Sequence, residues 1–229
     1  MAFGLSSEKT LKMIWRIERG KNQSFLVGTA HFFPYSVKKS LWQLMEKIDV
    51  VLFEGPLDES NMNKVRQEAV NDYDSLTLYN ALDYDVIVFL NKELGSRPSG
   101  LSVPYMDLFL KKTEDLLKAE IKGLMPWMAF FKIWSYFLMK RGWSYSVDLE
   151  AHEVARQTGK EVYYLEKIEE QIAALNGIPI ERIINFFNCA KRWEHFANQH
   201  AKYYLKGYYE SMIRETTDFP TRCESIIEK

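Results

Sequence analysis

SVDLEAHEVARQTGKEVYYLEKIEEQIAAL, residues 146–175, decides the fold class. A helix runs through VDLEAHEVARQT and is stopped by Gly159; EVYYL reads as a strand; EEQIAAL reads as a second helix, stopped by Gly177. The three make an α–β–α unit, so a sheet must exist elsewhere for that strand to join. Working back toward the N-terminus, VVLFE, ending at Glu54 before Gly55 and Pro56, supplies a continuous apolar run of the kind expected of a buried central strand. Upstream of it, Ser36 is placed to cap a helix in which Leu41, Leu44, Met45 and Ile48 share one side. Leu11 to Glu18 alternates with Leu11, Met13, Trp15 and Ile17 on one face, and Ser24 to Val27 follows a turn through Arg19, Gly20, Lys21 and Asn22. That pattern predicts an opening β-hairpin.

Residues from about 60 to 142 carry a helical pattern interrupted by the SRPSG loop near Pro98 and by Pro104 and Pro126. Beyond Gly177, Pro179 starts a long helical region, broken near Gly207 and running to about Thr216, before a last short helix near Thr221. The expectation is an α/β fold over 1–229 as one domain, with no internal repeat. A mixed β-sheet starts with the N-terminal hairpin and is flanked by helices, and a largely helical insertion occupies about 60–142.

Thirty Lys plus Arg balance thirty-one Asp plus Glu, so no net field draws the chain to nucleic acid or to an anionic membrane. Cys189 and Cys223 are too few and too far apart for a disulfide framework or a thiolate zinc site. The N-terminal MAFGLSSEKTLKMIW lacks the apolar core of a signal peptide, which points to the cytoplasm. LMPWMAFFKIWSYFLM, residues 124–139, is apolar but shorter than the roughly 20 residues a transmembrane segment needs. It also carries Lys132, so a buried or amphipathic helix is expected, with a membrane-surface helix as the other reading.

Chemistry concentrates at strand ends. FLVGTAHFFP, residues 25–34, places Gly28, Thr29 and His31 directly after a strand, where sites form in α/β proteins. Gly28 permits close backbone approach, and His31 on a loop suits a metal ligand or a general base. A lone GxxH is weak evidence, and a histidine that merely fills the strand end is the competing reading. Glu54 ends VVLFE and Glu166 ends VYYL in the same way. A His and a Glu from neighbouring strand ends suit water activation, either as base and orienter or as two ligands of a divalent ion. Glu169, Glu170 and Gln171 open the next helix, where acids also serve the helix dipole, and Asp148 divides evenly between a role in the site and an ordinary first-turn acid. His195 and His200, spaced i, i+5, read as surface or packing residues, and His152 as structural. The aromatic segments WMAFFKIWSYF and KYYLKGYY fit a substrate groove or a partner surface, but core packing explains them more simply.

In order and spacing, VGTAHFFP, VLFEGP, the D-L-x-x-x-A-x-x-x-G-K segment and L-E-x-x-E-E-Q resemble the TraB/GumN family (TraB/PrgY/GumN/Tiki-like), and KGLMPWMAFF resembles the helical segment before its D-L motif. The resemblance implies a fold related to the ChaN-like haem-binding proteins and the erythromycin esterases. Its activity would be that of a metal-dependent hydrolase of peptidase or esterase type, acting on a peptide or a small-molecule ester. Carried onto these residues, His31, Glu54 and Arg222 are catalytic, Arg222 binding a carboxylate or a developing oxyanion, although Cys223 stands where Asn is usual. Gly28, Thr29 and Gln171 bind substrate, and His31, Glu54 and Glu166 hold a divalent ion (Mn²⁺, Mg²⁺, Co²⁺ or Zn²⁺), the oxygen-rich donors favouring Mn²⁺ or Mg²⁺. The family pattern continues past the Arg222 helix into a second histidine-bearing GxxH-like loop, so the C-terminus at Lys229 reads as truncated relative to it. Two other functions follow from the same resemblance: a non-catalytic peptide- or partner-binding regulator of the pheromone-shutdown type, and haem binding as in ChaN-like proteins.

Overall fold

Helices carry most of the described residues, and the strands among them form two short ladders, a local hairpin and a parallel pair that brings distant segments together. The structure, a computed structural model, describes residues 8–70, 75–95 and 115–217. Strands β1 (Ile14–Arg19) and β2 (Asn22–Val27) pair antiparallel from Ile14↔Val27 to Arg19↔Asn22. Gly20 turns the chain with φ 62°, a left-handed conformation that strains any residue with a Cβ. The expected face divides in two. Leu11 and Met13 are buried, but Trp15 and Ile17 emerge as the hairpin projects beyond the core, and Trp15 packs edge-on against Tyr209 at 5.7 Å.

Helix α1 (Lys38–Met45) buries Leu41, Leu44 and Met45. The Ser36 hydroxyl accepts from Lys38 N and donates to Glu150, whose other oxygen accepts from Val37 N, so the N-terminus of α1 is satisfied across the fold. Strand β3 (Val50–Phe53) pairs parallel with β4 (Glu161–Tyr164), joining Val50 to Glu161 and Phe53 to Tyr164. The mixed α/β class holds, with the strands divided between an antiparallel hairpin and this parallel pair. β3 is not the buried central strand its apolar run predicts. Val51 and Phe53 face the core, whereas Val50 and Leu52 are exposed, because the ladder is covered on one face only among the described residues.

Between β3 and β4 along the chain lie α2 (Glu59–Ala69), α3 (Ser75–Asn80), α4 (Tyr84–Gly95), α5 (Leu116–Ile121) and α6 (Pro126–Met139), as the helical middle requires; the SRPSG loop lies outside the described residues. Pro126 occupies the first turn of α6, where its missing N–H costs nothing. No helix among the described residues is long and apolar enough to cross a membrane. Then come α7 (Val147–Gln157), β4 and α8 (Ile168–Asn176), the predicted unit, with Gly159 at φ 65° ending α7.

The C-terminal helical region breaks twice. α9 (Ile180–Asn188) leads through a 3₁₀ turn (Ala190–Arg192) into α10 (Trp193–Lys206), and Gly207 at φ 72° separates that from α11 (Tyr209–Thr217). The predicted break at Gly207 is present. The one at Cys189–Arg192 has no Gly or Pro to announce it; the reversal seats Trp193 on Phe186, stacked at 4.7 Å, with Trp193 Nε1 donating to Phe186 O at 2.9 Å. Trp134 and Phe137 of α6 meet Trp193 edge-on, both at 5.2 Å. These aromatic side chains therefore belong chiefly to an apolar cluster that extends from Leu11 to Tyr204.

Candidate functional site

The loop after β2 is held by backbone bonds on both sides of His31. Gly28 N donates to Met13 O at 2.9 Å, Val147 N to Ala30 O at 2.9 Å, and Phe33 and Tyr145 exchange both of their N–H···O bonds at 2.8 and 3.0 Å. Ala30 and Phe33 are buried as anchors, and His31 between them is turned outward. The Tyr204 hydroxyl of α10 donates to Gly28 O at 2.5 Å, and a Cβ on Gly28 would lie 3.3 Å from Met13 Cβ, so the glycine lets this strand end sit close to its neighbour.

The same bonds bring the loop against the start of α7. Ser146 caps that helix by accepting from Leu149 N, which fixes Asp148 in the first turn. Asp148 Oδ2 lies 3.0 Å from His31 Nδ1; the imidazole is 70% exposed and the carboxylate only 13%. Oδ2 is buried with no partner in full hydrogen-bond geometry, so the His31 imidazole 3.0 Å away is the group that compensates its charge. A proton placed on Nδ1 leaves the Nε2 lone pair facing solvent.

Electrostatics follow from this geometry. The hydrogen bond to Asp148 raises the His31 pKa above the ordinary histidine value; partial desolvation opposes the rise, and the charges of Asp148 and then Glu54 add to it. Burial pushes the Asp148 carboxyl up, but its bond to His31, the His31 charge and a bond from Thr29 together hold it below the usual carboxylate range. Burial, reinforced by the nearby Asp148 charge, raises the Tyr204 phenol. Gly28, Thr29, His31, Asp148 and Tyr204 thus form one cluster, with Glu54 within its electrostatic reach.

Glu54 stands exposed just past β3, and its carbonyl accepts from Glu166 N at 2.8 Å, so the two strand-end acids leave adjacent strands side by side. Gly55 is buried beneath Gln171 of α8: a Cβ there would fall 2.2 Å from Gln171 Nε2. That neighbour is the tip of a flexible side chain and can move, so Gly55→Ala is expected to swing the Gln171 carboxamide away from the Glu54 strand end at a cost below about 1 kcal/mol. A thermal melt within a few degrees of wild type, combined with a raised KM, would place Gln171 against substrate. Glu169 and Glu170 serve the fold: Glu169 pairs with Lys64 at 2.8 Å, and Glu170 accepts from Lys167 N at the start of α8.

Among the described residues no three His, Cys, Asp or Glu side chains converge closely enough to hold an ion, so His31, Glu54 and Glu166 do not form a ready-made ligand cage. Arg222 lies outside the described residues.

The sequence leaves Asp148 open between the site and an ordinary first-turn acid; the loop bonds just described bring it against His31. His200, read as a surface or packing residue, lines a cavity of about 230 Å³ that His31 also lines, together with Trp134, Trp143, Phe196 and Tyr203. The i, i+4, i+7 recurrence of Phe196, His200 and Tyr203 marks one face of α10 and was legible in the chain. His195 is exposed, and His152 packs on Phe53 and approaches the Tyr164 hydroxyl at 3.4 Å, a structural role.

Comparison with curated proteins and with solved structures returned no match. A family model does match, over residues 13–229 and therefore from the buried Met13 through the His31 loop, the Glu54 strand end and the α7–β4–α8 unit: the chain belongs to the TraB/PrgY/gumN family.

Proposed function

We propose that the chain hydrolyses a carboxylic ester or a peptide bond, with His31 as the general base that activates water. The observation that carries this reading is the 3.0 Å contact between His31 Nδ1 and the buried Asp148 carboxylate. Asp148 holds the ring so that Nε2 faces the substrate side, and it stabilises the imidazolium formed when Nε2 takes a proton from water. Glu54 contributes a second negative charge toward the same ring, as its effect on the His31 pKa requires. The water oxygen adds to the carbonyl carbon, and the Nε2 proton then passes to the departing alcohol or amine. Thr29 orients Asp148, and Gly28 and Gln171 lie along the approach to the two strand ends. Arg222, assigned to the oxyanion by family resemblance, supplies no part of the geometry on which this reading stands.

The acid limb of the pH profile tests it. A base must be neutral, so activity rises as pH passes upward through the His31 pKa, which lies above about 6.5. Asp148→Asn removes the charge that raises it, so the limb is expected to move to lower pH while the maximal rate falls about 10- to 100-fold. An unshifted limb would remove His31–Asp148 from the mechanism. The profile is measured in EDTA and again with Mn²⁺: equal rates are expected, whereas strict dependence on the ion would transfer water activation to a metal. Peptide binding that persists without any turnover, and after loss of both His31 and Glu54, would instead mark a regulator.

A further inference from the structure

We infer that the cavity beside His31 is the acyl pocket of the reaction proposed above, built for an uncharged apolar group of about six to eight carbons or a single aromatic ring. The inference rests on that hydrolytic reading for its orientation, but the pocket itself stands on separate observations. Its volume is about 230 Å³. A dry apolar cavity of about 150 Å³ already accommodates benzene, so this one takes a ring with a substituent or a medium-length chain. Trp134 and Leu138 of α6, Trp143 just beyond it, and Phe196 and Ala197 of α10 provide the walls. None of the described residues that line it is Asp, Glu, Lys or Arg.

His31 is exposed and also lines the cavity, which puts it at the rim, where a carbonyl attached to a buried tail would stop. The polar residues of the lining support an uncharged occupant. Burial lowers the pKa of His200, so the imidazole is neutral near pH 7 and offers a hydrogen bond without a charge.

Each methylene buried in such a pocket strengthens transition-state binding about fourfold. For the full chain acting on p-nitrophenyl esters, kcat/KM is therefore expected to climb by roughly 10²-fold from acetate to hexanoate, level off at octanoate and fall at dodecanoate. Ala197→Phe fills the space and is expected to flatten that climb, bringing the hexanoate-to-acetate ratio of kcat/KM down toward one. A second measurement needs neither turnover nor the filled variant: calorimetric titration of the wild-type chain and of His31→Ala with hexanamide and with acetamide. Hexanamide is expected to bind at least tenfold more tightly to both. Equal binding of the two amides, or a flat ester series in a chain that does hydrolyse esters, overturns the pocket. Preferential hexanamide binding with no hydrolysis of any ester or peptide sustains the pocket and removes the hydrolytic reading instead.

Discussion

His31→Ala is expected to lower kcat/KM for ester or peptide hydrolysis by about 10²- to 10⁴-fold, the contribution of a positioned general base, equivalent to about 3–5 kcal/mol of transition-state stabilisation. The fold should survive, because the ring is mostly exposed and the loop is held by backbone bonds from Gly28, Ala30 and Phe33 that do not involve the imidazole. Circular dichroism and the melting temperature are therefore expected to stay near wild type. One secondary consequence is specific to this geometry. Without the ring, Asp148 Oδ2 becomes a buried carboxylate oxygen with no proton to face, so the Asp148 carboxyl should titrate higher in the variant than in wild type. His31→Gln keeps a hydrogen-bond donor near that position and should return the carboxyl toward its wild-type titration without restoring turnover. Full activity in His31→Ala would end the hydrolytic proposal.

Trp193→Ala is expected to destabilise the fold more than any change at the site, by about 3–5 kcal/mol for the lost indole alone. The side chain is fully buried, stacks on Phe186 and meets Phe137 and Trp134 edge-on. Its Nε1–H also donates to the Phe186 carbonyl, which still accepts from Cys189 N in the variant, so the lost bond adds about 0.5–1.5 kcal/mol rather than a full desolvation penalty. In a chain of this size each kcal/mol lowers Tm by roughly 2–4 °C, so a drop of roughly 7–25 °C is expected in a thermal melt. Trp193→Phe restores most of the ring packing without the donor and should fall between the two. A melt within about 3 °C of wild type for Trp193→Ala would show that the α9–α10 reversal is held by something other than this indole.

Several elements are legible in the chain because their causes are local. Gly20, Gly159 and Gly207 stop or turn the backbone with positive φ, Pro126 starts a helix, and the α7–β4–α8 unit falls where apolar spacing and end signals put it. Burial is less local. VVLFE reads as a doubly buried strand, yet Val50 and Leu52 are exposed, because a run of apolar residues cannot tell how many of its faces a partner will cover. Likewise the alternation from Leu11 to Ile17 predicts one face correctly but not where the core ends beneath it.

By itself the sequence determined the mixed α/β class, the helical middle, the family pattern and the placing of His31, Glu54 and Glu166 at the ends of strands or of the loop behind one. Only the tertiary structure decided which acid faces the imidazole. Asp148 is half the chain away from His31 in sequence, and they meet because Val147 and Tyr145 bond the backbone of the His31 loop, an encounter that no residue spacing encodes. The same holds for the cavity, whose walls come from α6 and α10 as well as from the loop. Periodicity and capping report on free energies set within a few residues, whereas a site is fixed by which distant surfaces exclude water from one another.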